Sequence, residues 1–339
     1  MKTFPLSDAF DALAVSPDGL HMVLGTLKEK TLKSFSMEKT TADWSAATVV
    51  DLCGAAVVNT MLATLDCAGQ GRLWDLDSRS VLQTFETDTN SLSLGSMAFS
   101  RTGERLAWVD SNSGYAAVWD VAANRRIASF DAEPGSLGQT AMAFSHDGTR
   151  IATANAYSVA RVWSAGDGSK IAEMSISSVD DWPEVAFARD DEAVLIADGT
   201  LDVFDARNGL RNGHWMMSLP PSQVVSSPRG DVVAIATTDG WLSILDPRDW
   251  SLPVATRVMS VFEGALVART PDGDRVLTRD RDYTVRVWRT ADLEGTVAFE
   301  PMNEDGMGFT GVARLSNGSE RLVGRDNYGV VDMWCLPPP

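Results

Sequence analysis

Catalysis needs reactive side chains in clusters, and the 339 residues of this chain offer few. Adjacent carboxylates stand at Asp180-Asp181, Asp190-Asp191 and Glu304-Asp305. All three pairs sit among turn-forming residues, where neighbouring acids are expected to be solvated rather than to share a proton. The cysteines are Cys53, Cys67 and Cys335, an odd and sparse set with no CxxC spacing. That pattern gives no disulfide framework, and three reduced, mostly buried thiols are expected. None of the histidines, His21, His146 and His214, is close in sequence to a cysteine, so a His/Cys metal site is not expected. GxSxG, phosphate-loop and HExxH signatures are absent. No catalytic residue, metal ligand or cofactor is assigned, and a non-enzymatic role is expected.

Other residues suit recognition better than reaction. The chain has four tyrosines, Tyr115, Tyr157, Tyr283 and Tyr328, and each lies four to six residues before a tryptophan. Tyrosine combines a large apolar ring with a polar tip, which enriches it where proteins meet. Trp182, Phe262 and Phe309 lie near the acids Asp180, Asp181, Glu263, Glu304 and Asp305. Arg279, Arg281, Arg286 and Arg289 crowd the segment LTRDRDYTVRVWR. Guanidinium forks suit carboxylate or phosphate recognition. Asp280 and Asp282 interleave with them, so mutual ion pairing is the expected role, with Arg281 kept as a candidate partner contact. The formal net charge of −17 repels phosphate backbones and argues against nucleic-acid binding. No apolar run approaches the ~18 residues of a membrane helix. The N-terminal segment lacks the pattern of a secretory signal, so a cytoplasmic protein is expected.

The elements that must position these residues come from a repeat. SPDG at 16–19 recurs as SRTG at 100–103, SHDG at 145–148, SPRG at 227–230 and TPDG at 270–273, with weaker copies ARDD at 188–191 and SNGS at 316–319. About eighteen residues after each start an apolar run ends at Phe35, Trp119, Trp163, Phe204, Leu245, Trp288 or Trp334. The first interval, 84 residues, is double the others, and Trp74 marks the hidden copy. Counting back from Trp74 puts its start at Ala56 and places Asn59 in the slot that holds glycine elsewhere. Asparagine tolerates the left-handed turn conformation that such a slot requires. The eight starts are then spaced by 39 to 46 residues. Within a copy, turn residues separate short runs rich in Val, Ile, Leu, Ala and Trp, which reads as four strands, a to d. In the fourth copy these are AMAFS, RIATA, ARVWS and KIAEM. The b–c turn shortens to Asp198-Gly199 and Asp239-Gly240 in copies five and six, a preferred two-residue hairpin pair.

This pattern resembles the WD-repeat β-propeller family with degenerate repeats. The Trp-Asp pair stands at Trp74-Asp75 and Trp119-Asp120, and as Phe204-Asp205, Leu245-Asp246, Trp163-Ser164, Trp288-Arg289 and Trp334-Cys335 elsewhere. The resemblance spans essentially the whole chain. The Gly-His dipeptide common before strand a in that family is missing, so its histidine-centred hydrogen-bond network is not expected, and apolar packing must do more.

The resemblance implies an all-β fold, a single propeller domain over residues 1–339. Eight c strands are legible, but VVDMW is followed only by CLPPP, which leaves the last blade without a strand d. Lys2–Leu6 has no other partner and is expected to pair beside Met333 and Trp334, closing the ring. Pro5 fits an outer edge strand. Seven blades, with the second copy as decoration, is the alternative. In such a fold the b–c and d–a loops emerge on one face, so the four tyrosines would share it with Trp182, Phe262 and Phe309. The function implied is a monomeric scaffold holding a protein or peptide on that face. The alternative is an enzyme or small-molecule binder using the central channel.

Overall fold

A computed structural model of the chain describes residues 2–4, 10–15, 21–26, 31–36, 42–47, 52–88, 94–132, 140–155, 159–176, 183–198, 200–215, 221–226, 232–237, 241–245, 253–258, 267–270, 274–279, 285–291, 295–299, 308–314, 320–325 and 331–336. Among them are thirty-two strands and no helix.

These strands form eight four-stranded antiparallel sheets. The first is Phe10–Val15, His21–Thr26, Thr31–Ser36 and Ala42–Ala47, and the second is Leu52–Val58, Met61–Asp66, Gln70–Asp75 and Ser80–Glu86. The third is Leu94–Phe99, Arg105–Asp110, Tyr115–Asp120 and Arg125–Asp131, and the fourth is Thr140–Phe144, Arg150–Asn155, Val159–Ser164 and Lys170–Ser175. The fifth is Glu184–Ala188, Ala193–Asp198, Thr200–Asp205 and Arg211–Trp215, and the sixth is Pro221–Ser226, Val233–Thr237, Trp241–Leu245 and Pro253–Val258. The seventh is Val267–Arg269, Arg275–Arg279, Val285–Arg289 and Gly295–Phe299. In the eighth, Gly308–Arg314, Glu320–Arg325 and Val331–Cys335 are completed by Lys2–Phe4. There Lys2 pairs with Met333, Thr3 with Asp332 and Phe4 with Val331.

The chain divides into two compact units, Met1–Leu94 with Glu300–Pro339, and Gly95–Phe299. The first contains the first, second and eighth sheets, and the second contains the third to seventh.

The repeated turn follows the chemistry of its slot. Asn59, Gly103 and Gly148 occupy equivalent a–b positions with φ of 49°, 79° and 69°. In the fifth sheet the slot falls on Asp191, at φ 65°, after Arg189 and Asp190 at 54° and 52°. Three consecutive non-glycine residues in the left-handed region are costly and persist only where the surroundings fix them. The turns at 16–19, 227–230, 271–273 and 316–319 lie outside the described residues, as do Gly199 and Asp239-Gly240.

Strand alternation sends one set of side chains between neighbouring sheets. In the second unit, Phe130 of the third sheet stacks on Trp163 of the fourth at 4.5 Å between ring centroids. Ala107, Val118 and Met142 complete that layer. Met174 and Ile176 of the fourth sheet meet Phe187 and Phe204 of the fifth. In the first unit, Val23 and Leu32 pack with Leu62, Trp74 and Leu76. Burying a large apolar side chain contributes roughly 1.5–3 kcal/mol, so these inter-sheet layers are the main source of cohesion.

The tryptophans show how polar groups enter this core. Trp74, Trp163 and Trp288 are buried, and each indole Nε1 donates to a strand-b threonine hydroxyl: Thr64, Thr153 and Thr278, at 2.8–2.9 Å. Where the strand-c position is Phe35, Phe204 or Leu245, which have no N–H to satisfy, the strand-b position in the same register is Leu24, Ile196 or Ile235. In these six sheets donor and acceptor come and go together, as burial of polar groups demands. The third sheet departs from this pattern. Trp108 takes the threonine position at 1 % exposure, and Trp119 is only half-buried. The Trp119 indole turns instead to Asn124 Oδ1 at 3.3 Å. The side chain of Trp334 lies outside the described residues.

The cysteines correct the expectation of three buried thiols. Cys53 and Cys67 form a disulfide with Cα atoms 5.0 Å apart, and Cys335 is exposed. Cys53 lies at a β-bulge between Leu52 and Gly54, at the end of the hairpin where Cys67 follows Asp66.

Candidate functional site

The b–c ends of the second and third sheets are built alike. Asp66 and Asp110 close strand b and are buried. Asp66 Oδ1 accepts the backbone N–H groups of Ala68 and Gln70 at 3.1 and 2.8 Å. Asp110 accepts the Asn112 N–H at 3.3 Å and the Ser113 hydroxyl at 2.6 Å. The carbonyls of Gly69 and Gly114 then accept the N–H groups of Thr87 and Ala132, both at 2.8 Å. Each turn is thus clamped by a carboxylate on strand b and by the chain just past strand d. An aspartate side chain caps such turns because it satisfies backbone donors that the hairpin leaves unpaired.

Tyr115 follows Gly114 directly and opens strand c of the third sheet. It is half-buried, and its hydroxyl accepts from Arg126 Nη1 at 2.9 Å. Phe309 lies in strand a of the eighth sheet, its backbone paired with Gly324. Tyr157, Tyr283, Tyr328, Trp182, Phe262 and Arg281 lie outside the described residues, as do Asp180, Asp181, Glu263, Glu304 and Asp305. Of the arginine cluster, Arg286 is half-buried and Arg289 exposed. The described residues therefore furnish Tyr115 and its clamped turn, and do not bring the other candidates together.

The opposite, a–b end of the fourth and fifth sheets carries a contact that the sequence reading missed. Asp191 was expected to be solvated, but it is 4 % exposed. Its Oδ1 accepts the His146 N–H at 2.7 Å and faces His146 Nδ1 at 2.6 Å, and its Oδ2 accepts the Asp147 N–H at 2.9 Å. Burial pushes the Asp191 carboxyl up, but these bonds from His146 and Asp147 outweigh it and hold the group below its ordinary value. Desolvation opposes in the same way at Asp147, where bonds from Ser145 and Thr149 prevail. A second histidine–carboxylate pair joins His214 Nδ1 to Asp202 Oδ1 at 2.8 Å, with Arg211 Nε at 3.5 Å. Both pairs make structural bonds. Among the described residues no group of three or more His, Cys, Asp or Glu is placed to hold a metal ion. No described helix is long and apolar enough to cross a membrane.

Comparison with solved structures fixes the fold class as the WD-repeat propeller. The C-terminal WD40 domain of Sif2 superposes with a TM-score of 0.77 at 14 % identity, covering 100 % of this chain and 98 % of that one. The computationally designed Ika8 protein gives 0.76 at 15 % identity over 98 % and 97 %. Saccharomyces cerevisiae Sqt1 gives 0.76 at 11 % identity over 100 % of both chains. No family model and no curated protein sequence matches the chain. Strand-to-strand architecture is shared while sequence identity is low, so the likeness defines the fold alone.

Proposed function

We propose that the chain is a non-catalytic interaction scaffold, a single propeller domain of eight blades that holds a protein or peptide on its b–c and d–a loop face. In this reading Lys2–Phe4 completes the last blade and closes the ring, and the protein is a cytoplasmic monomer until its partner arrives. The observation that carries the proposal is the build of the b–c turns. Buried Asp66 and Asp110 hold them rigid, and at Tyr115 such a turn presents a half-buried aromatic whose tip is already oriented by Arg126. A rigid aromatic anchor loses little conformational freedom on binding, which is what an interface centre requires. Tyr157, Tyr283 and Tyr328 lie in the b–c connections of their repeats in the sequence, five or six residues before the strand-c tryptophan.

Affinity capture from native lysate with mass spectrometry tests this directly. A protein retained by the wild-type chain and lost with Tyr115→Ala and Tyr157→Ala is the expected result. Retention of a small molecule, or turnover of one, would instead favour a site in the central channel.

A further inference from the structure

We propose that the gap between the fourth and fifth sheets is a socket for a lysine side chain of the partner, entered from the b–c face. The inference rests on that face being where the partner lies. Thr200, Asp202 and Phe204 alternate onto one side of strand c, and Phe204 packs there with Met174 and Ile176 of the fourth sheet. Asp202 is fully buried. Its Oδ1 is taken by His214 Nδ1 at 2.8 Å, with Arg211 Nε at 3.5 Å. Among the described residues, its Oδ2 has no hydrogen-bond partner, and neither has the Thr200 hydroxyl, two residues nearer the b–c turn. Buried polar groups are satisfied as a rule, and two orphans in one row cost stability until something completes them.

The neighbouring gap shows what would complete them. Arg161 stands on strand c of the fourth sheet two residues before Trp163, as Asp202 stands two before Phe204 in the fifth. Their strand-d neighbours are Glu173 and His214. Arg161 Nη1 donates to the Ala132 carbonyl of the third sheet, so the chain's own cation crosses that gap. In the fifth sheet the sign is reversed, and the cation comes from outside. Lysine fits better than arginine. A guanidinium fork needs both carboxylate oxygens, and His214 holds one. An ammonium is a compact charge with three donors, which suits Oδ2 and the Thr200 hydroxyl in a row. Two strand residues span about 6.6 Å, within the reach of a lysine stem, and the apolar walls suit its methylenes. Both oxygens are closed to water, so the b–c ends of the two sheets part as the ammonium enters. The net charge of −17 favours a basic partner on approach.

The test needs no partner and uses the full chain with n-butylammonium as the probe, read by NMR. Saturable shifts at the Thr200, Asp202 and His214 amides are expected, with none from tetramethylammonium, which has the charge but no N–H. Thr200→Val should weaken butylammonium binding by about tenfold. It should leave the unfolding midpoint unchanged or raised, because it removes an unsatisfied hydroxyl. Asp202→Asn should abolish binding; if that variant fails to fold, Thr200→Val and the tetramethylammonium control decide. Equal shifts from the two ions, no saturable shift, or unaltered affinity in Thr200→Val would overturn the socket. So would a lower midpoint for Thr200→Val, since the hydroxyl would then be bonded within the chain. None of these results touches the scaffold reading, which stands or falls on partner capture.

Discussion

Replacing Asp191 should uncouple the fourth and fifth sheets, and the size of the loss can be worked out from its bonds. The carboxylate accepts from two backbone N–H groups and faces the His146 ring, all within 2.9 Å. A hydrogen bond to a charged group contributes ~1.5–3 kcal/mol, but bonds sharing one acceptor group are not additive. The His146 side chain is 22 % exposed, so water would replace part of what is lost. About 2–3 kcal/mol is then expected from the bonds, and placing alanine at φ 65° adds roughly 1 kcal/mol. Asp191→Ala should therefore cost about 3–4 kcal/mol, while Asp191→Asn, which tolerates that φ and keeps one acceptor oxygen, should cost about 1–2 kcal/mol. Urea unfolding followed by tryptophan fluorescence measures both. The pH dependence has a definite sign. The folded carboxyl lies below its ordinary value of 3.8, so its contribution is full above that pH and is lost as pH falls through the folded value. Wild type and Asp191→Asn should converge in acid. Equal losses for the two variants at neutral pH would show that backbone strain, not charge, is what Asp191 relieves, and a loss below ~0.5 kcal/mol for both would refute the coupling altogether.

Trp163→Ala should cost roughly 3–5 kcal/mol by thermal or urea unfolding, because the ring is buried against Phe130. Trp163→Phe should lose only about 1–2 kcal/mol, the share of the stranded Thr153 hydroxyl. Trp119→Ala should cost less than half as much as Trp163→Ala, since Trp108 already fills the inner position. Gly168→Ala should destabilise by about 2 kcal/mol or more, because its φ is +75° and a Cβ there would sit 2.5 Å from the Ser129 carbonyl of the preceding sheet.

The strand pattern was legible because turn chemistry and apolar alternation repeat together. Asn59 fits a glycine slot on chemistry alone, since asparagine is the non-glycine residue that best tolerates the positive φ found there. The Trp–Thr bonds also have a sequence mark, a threonine ten residues before Trp74, Trp163 and Trp288. Two features were not readable. The disulfide joins residues 14 apart across the end of a hairpin, and neither the cysteine spacing nor the strand period signals that pairing. Burial of Asp191 depends on the neighbouring sheet supplying His146 and Asp147 from 45 and 44 residues away, and no local rule predicts a partner at that distance. Of the proposed partner face, the sequence supplied four tyrosines in b–c connections, and the described residues supply the geometry of one, Tyr115.

The scaffold reading is tested most directly by the affinity of a captured partner for the double variant Tyr157→Ala with Tyr328→Ala. In the proposed reading the two tyrosines anchor one partner and should together contribute well over the ~1.4 kcal/mol that corresponds to a tenfold change in Kd. The account predicts binding at least ~10-fold weaker, with a circular dichroism spectrum and unfolding midpoint like those of the wild type. Unchanged affinity in a folded double variant would contradict it and move the site to the opposite loops or into the channel.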